Sequence, residues 1–113
     1  MGFFSSMFRG NDTNITPQKA KQMMEEGGRY VLLDVRTPAE YRQIRIDGAK
    51  LIPVDELATR AAVELPDRDE LILVYCQSGM RAVSAVRTLT RLGYTKVYNF
   101  GGIMNWPYET VRG

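Results

Sequence analysis

The sequence contains no histidine and a single cysteine, Cys76. Those shortages exclude a good deal. Without an imidazole there is no Cys–His dyad and no Ser–His–Asp triad. Zinc and other transition metals lose their two commonest ligands, so no metal site and no cofactor is expected. One cysteine cannot close an internal disulfide, which makes a reducing, cytoplasmic compartment the default. The missing Cys-x-x-Cys pattern disfavours a thioredoxin-like oxidoreductase. Net charge is only +2 and no five bases run together, so no nucleic-acid footprint is present. Internal repeats and low-complexity segments are absent as well.

What is present fits one soluble domain. The chain has 113 residues, 44% hydrophobic and 25% charged, enough to bury a core without disulfide or metal staples. Residues 1–14 read as an N-terminal tail and residues 15–113 as the domain. The stretch from Met1 to Arg9 is too short for a transmembrane helix and lacks the basic region of a signal peptide. Met1-Gly2 with Ser6 matches a permissive myristoylation pattern. Phe3, Phe4 and Phe8 leave a weak membrane or partner contact as a minor alternative to a surface-docked or frayed tail.

Strand and helix signals alternate along the rest. Thr16 caps a helix with Pro17 in its first turn, and Gly27-Gly28 stops it. Tyr30 to Leu33 is a short apolar run with the character of a buried strand. Thr37-Pro38-Ala39-Glu40 is a capping box that opens a short helix. Leu51-Ile52 is a second strand, and Asp55 is placed to cap a third helix through Ala62. Pro66 to Asp69 is a loop. Leu71 to Tyr75 is apolar at every position, so both faces should be covered. Arg81 to Leu92 follows as a helix whose apolar stripe is Ala82, Val83, Ala85, Val86, Leu89 and Leu92. Lys96 to Phe100 is the last strand, Gly101-Gly102 reads as a turn, and Ile103 to Trp106 as a helical turn. The expected class is α/β, with a mostly parallel central sheet and helices on both faces.

Cys76 ends the most apolar strand, just before a helix. Ligands in open α/β sheets bind beyond the carboxyl ends of the strands. Gly79 permits a tight turn in which successive N–H groups converge, and a helix N-terminus adds its own donors. A free thiol is mostly protonated at neutral pH. Converging N–H groups, the helix end and Arg81 all favour the anion. They would hold a persulfide too, whose outer sulfur is also anionic. A lone cysteine is more often an inert core residue, but the strand end, Gly79 and Arg81 shift that balance toward function.

Several segments together resemble the rhodanese family of sulfurtransferases. The active loop of that family begins with Cys and ends with Arg, as in Cys76-Gln77-Ser78-Gly79-Met80-Arg81. Asp34-Val35-Arg36-Thr37-Pro38-Ala39-Glu40-Tyr41 is similar to its first signature, Ile46 to Pro53 to the segment after it, and Gly101 to Trp106 to its C-terminal signature. The family's usual Gly-His is replaced here by Ile44-Arg45. The resemblance implies that Cys76 is the nucleophile, that Gln77, Ser78, Gly79, Met80 and Arg81 bind substrate, and that Asp34 and Arg36 organise the scaffold or orient substrate.

The expected function is therefore sulfur transfer through a Cys76 persulfide. The partners would be a small sulfane-sulfur donor (thiosulfate, a polysulfide or a persulfide) and an external thiol or cyanide acceptor. With no second cysteine, the acceptor must come from outside. Anionic donors would be steered largely by Arg81 and the N–H groups. A Cys-dependent phosphatase is a rival, but its Cys-x5-Arg loop is one residue longer and no acid is placed for the leaving alcohol. A non-catalytic binding module of the same fold is the other rival. Oligomeric state is not encoded in any motif.

Overall fold

The computed structural model describes residues 13–113, and the myristoylation pattern and the Phe-rich segment lie outside the described residues. Four strands form one parallel sheet. They are β1 (Tyr30–Asp34), β2 (Lys50–Leu51), β3 (Leu71–Cys76) and β4 (Val97–Gly102), in the spatial order β2-β1-β3-β4. The helices are α1 (Pro17–Glu25), α2 (Pro38–Gln43), α3 (Leu57–Glu64) and α4 (Met80–Arg91). Parallel strands need crossovers, and each intervening helix supplies one.

The period of two along β3 sorts its side chains between two cores. Ile72, Val74 and Cys76 face a cluster built with Leu57 and Ala61 of α3 and Ala82, Ala85 and Leu89 of α4. Leu73 and Tyr75 face the opposite cluster, with Ala20 of α1, Phe100, Ile103 and Trp106. Covering both faces explains the unbroken apolar run. Full burial of one such leucine or valine stabilises the fold by about 1.5–3 kcal/mol.

Helix starts follow local chemistry. Thr16 Oγ1 accepts from Lys19 N–H at 3.0 Å. Thr37 and Glu40 form the expected capping box, with Glu40 N–H donating to Thr37 Oγ1 and Thr37 N–H to Glu40 Oε1.

Four expectations shift. Asp55 does not cap α3, because a 3-10 turn over Val54–Glu56 precedes that helix and the Val54 carbonyl takes the N–H of its first residue, Leu57. The second strand is Lys50–Leu51, one residue earlier than the apolar pair Leu51-Ile52 indicates. Val83 and Leu92 are 40% and 37% exposed, flanking a narrower stripe of Ala82, Ala85, Val86 and Leu89. Each residue turns the helix by roughly 100°, which carries Val83 out of line with Ala82.

Gly101-Gly102 is the fourth shift, since it is strand rather than turn. Val74 pairs with Asn99 but Cys76 pairs with Gly102, so β4 carries one extra residue there. The buried Asn99 side chain compensates, its Oδ1 accepting from Gly101 N–H at 2.8 Å.

Candidate active site

The carboxyl ends of β1, β3 and β4 bring Asp34, Cys76 and Gly102 to one edge of the sheet. Cys76 is 1% exposed. Its sulfur accepts two backbone hydrogen bonds, from Gly79 N–H at 2.9 Å and from Ala82 N–H at 3.3 Å. Gly79 is the N-cap residue of α4 and takes φ +107°, a conformation that a side chain would strain. Having no side chain, it leaves the first-turn donors of α4 without the usual oxygen. Cys76 Sγ takes that place on the N–H of the third helical residue, Ala82. The loop thus wraps a sulfur atom with N–H groups and the positive end of a helix, an arrangement suited to an anion.

The sequence places the donors within Gln77 to Arg81. Of those, Gly79 donates to the sulfur, and the second donor lies one residue beyond the loop, at Ala82. The rule that an N-cap acceptor reaches the third helical N–H would have located it, given Gly79 as the cap.

The loop is held from below by Gly102. A Cβ built there would lie 2.2 Å from the Gln77 carbonyl oxygen and 2.6 Å from Ser78 Cα. Only glycine lets the loop settle on the end of β4.

Asp34 and Arg36 form a buried ion pair. The Asp34 carboxylate accepts from Arg36 N–H at 2.9 Å, from Nε at 3.0 and 3.1 Å, and from Nη2 at 2.7 Å. Arg36 Nη2 also donates to the Ile44 carbonyl at 2.6 Å, and Nη1 to Gln77 Oε1 at 3.2 Å. One guanidinium therefore ties β1, the end of α2 and the Cys76 loop together. Burial pulls its pKa down, but the hydrogen bond and charge of Asp34 outweigh that and raise it. Tyr75 lies beneath this pair. Burial, then the Asp34 charge, push its phenol above the ordinary value.

Arg81 is paired within the chain. It is not a free cation awaiting an anionic donor, because Nη1 and Nη2 donate to Glu40 Oε1 and Oε2 at 2.8 and 3.0 Å. This bidentate bond holds the Glu40 carboxyl down at about 2, against the opposing effect of burial. Nothing local marks Glu40 for this second task, since its capping role already accounts for it. Ser78 and Met80 are exposed on the loop. Ile44 and Arg45, in the Gly-His position, take structural parts. Arg45 exchanges backbone hydrogen bonds with Val111 and lays its guanidinium 4.6 Å from the Tyr41 ring centroid.

Among the described residues, no group of three or more acidic, Cys or His side chains is gathered to hold a metal. No described helix is long and apolar enough to cross a membrane. A groove of about 990 Å³ between α4 and β4, lined by Val83, Arg87, Tyr94 and Tyr98, does not reach Cys76.

Comparison with known proteins agrees with this geometry. A family model described as the rhodanese-like domain matches residues 16–108. The thiosulfate sulfurtransferase PspE of Escherichia coli is 37% identical over 81 residues, covering 72% of this chain and 78% of that one. The probable adenylyltransferase/sulfurtransferase MoeZ of Mycobacterium tuberculosis is 30% identical over 98 residues, covering 86% of this chain and 25% of that longer one. A solved rhodanese with anions from E. coli aligns with a TM-score of 0.71 at 35% identity, covering 75% of this chain and 100% of that one.

Proposed function

Since the chain belongs to the rhodanese-like domain family, we propose that it is a sulfurtransferase that carries sulfane sulfur as a persulfide on Cys76. The observation that carries this reading is the sulfur of the sole cysteine accepting two N–H groups at the head of α4. Those donors stabilise negative charge on sulfur without an imidazole, as an oxyanion hole does on oxygen.

Two displacements complete the cycle. The Cys76 thiolate attacks the outer sulfur of the donor. A bond forms from Sγ to that sulfur and the donor's S–S bond breaks. The electron pair leaves with sulfite if the donor is thiosulfate, or with a thiolate if it is an organic persulfide. A thiolate or cyanide acceptor then attacks the outer sulfur of the persulfide and releases the Cys76 thiolate. The acceptor is external, because Cys76 is the only cysteine. The cycle needs reduced thiols, which favours the cytoplasm as its setting. A phosphatase reading draws no support, because the fork of Arg81 is engaged by Glu40 instead of standing open to a phosphate.

Intact mass after incubation with thiosulfate tests the reading. The wild type should gain one sulfur atom and lose it to cyanide, and Cys76→Ser should gain none. No adduct with thiosulfate, a polysulfide or an organic persulfide would overturn it.

A further inference from the structure

We propose that Glu40, acting through Arg81, sets the charge of the donor this site accepts, so that donors with one negative charge are used in preference to dianionic thiosulfate. The inference rests on the sulfur-transfer reading above and names its substrate class. Glu40 is a positioning residue in this scheme, since it touches Arg81 and not the sulfur.

The transfer step brings two anions together, the Cys76 thiolate and the donor. Cations near the sulfur would offset that repulsion, and each added charge on the donor makes the offset more important. Among the described residues, Arg36 is bonded to the loop and Arg81 belongs to it, and both guanidiniums are matched. Arg36 is fully buried against Asp34, with its remaining donors on Ile44 and Gln77. Arg81 immediately precedes Ala82, whose N–H is on Cys76 Sγ, but its guanidinium is locked fork to fork on Glu40. The residues between Cys76 and Arg81 are uncharged.

Glu40 is not free to yield. Its Oε1 also accepts from Thr37 N–H at 2.9 Å and Thr37 Oγ1 at 3.1 Å, which fixes its rotamer in the first turn of α2. The end of α2 is held in turn by Arg36 on the Ile44 carbonyl. Arg81 can turn toward a donor only by abandoning a fixed carboxylate. Two exposed apolar side chains also accompany the loop. Met80 is 77% exposed, and Met104 is 69% exposed with its N–H on the Gln77 carbonyl at 3.4 Å. An apolar substituent on a singly charged donor meets these side chains at no electrostatic cost.

Methanethiosulfonate is the matched probe, because a methyl group replaces one charged oxygen of thiosulfate. Both donors give the same persulfide: the Sγ–S bond forms, the S–S bond breaks, and the electron pair leaves with methanesulfinate or sulfite. The readout is the ratio of kcat/KM for thiosulfate to that for methanethiosulfonate, with cyanide as acceptor. Glu40→Gln keeps one oxygen acceptor for the capping box and removes the charge together with the second acceptor, the one that holds Arg81 Nη2. That variant should raise the ratio by about fivefold at low salt, with the gain shrinking at higher ionic strength. Met80→Lys adds a cation at an exposed position, where misfolding is not a concern, and should move the ratio the same way. A loss of packing alone would lower both donors together. A ratio that stays within about twofold in both variants overturns the inference. Cys76 labelled by both donors with an unchanged ratio sinks only this charge argument. No label from either donor sinks the sulfur-transfer reading and this inference with it.

Discussion

Cys76 Sγ stands where the oxygen of a Ser, Thr or Asp normally caps a helix, and that position couples its chemistry to the stability of α4. The neighbouring scaffold is costlier to disturb. Asp34 and Arg36 are both fully buried, and every polar atom of the pair has a partner. Removing one member leaves an unmatched charge in the interior. Asp34→Ala should therefore destabilise the protein by about 3–5 kcal/mol, read as a shift in the urea midpoint. A loss below about 1 kcal/mol would mean that water reaches the Arg36 guanidinium. This pair is legible in the sequence only through resemblance. Asp-x-Arg at a strand end has no general meaning, because its value comes from Ile44 and Gln77, which are distant along the chain.

At the scale of elements, local patterns read well and junctions read poorly. The capping box at Thr37, the Pro17 helix start and the apolar run of β3 are decided by neighbours a few residues apart, and each is where the sequence places it. The end of β4 is decided by β3 and the loop instead. Gly101-Gly102 has the composition of a turn, yet pairing with Cys76 keeps it in the sheet. The same contact sets Gly102 against the Cys76 loop in a way composition conceals. Gly102→Ala would push a methyl group into the Gln77 and Ser78 backbone, which has no flexible end to give. The loop must shift, and the N–H groups on Cys76 shift with it. Persulfide formation should slow by on the order of 100-fold, with about 1–3 kcal/mol of stability lost. Stopped-flow or quenched mass measurements of the first half-reaction check this. A variant that reacts at the wild-type rate would show that the loop does not depend on the end of β4.

Across the whole molecule, the Glu40–Arg81 pair links α2 to α4 over 41 residues of sequence, a contact that no local pattern announces. Its hidden partner also governs how the fold meets acid. The Glu40 carboxyl is depressed from 4.5 to about 2, chiefly by its hydrogen bond to Arg81. A carboxyl with a folded value below its unfolded value stabilises the protein fully above the unfolded value. That stability is lost as pH falls through the folded value. The window here runs from about pH 4.5 down to about 2. Glu40 and Arg81 are 29% and 35% exposed, so solvent screening limits the effect to about 1 kcal/mol. Unfolding free energies of wild type and Glu40→Gln should therefore differ by about that amount at pH 6. The gap should hold to about pH 5, narrow below 4.5 and nearly vanish near pH 2. A gap of the same size at pH 2 would assign the stability to the capping box, whose hydrogen bonds do not require the charge. Combined with the donor ratio, this separates what Glu40 does for the fold from what its charge does at the sulfur.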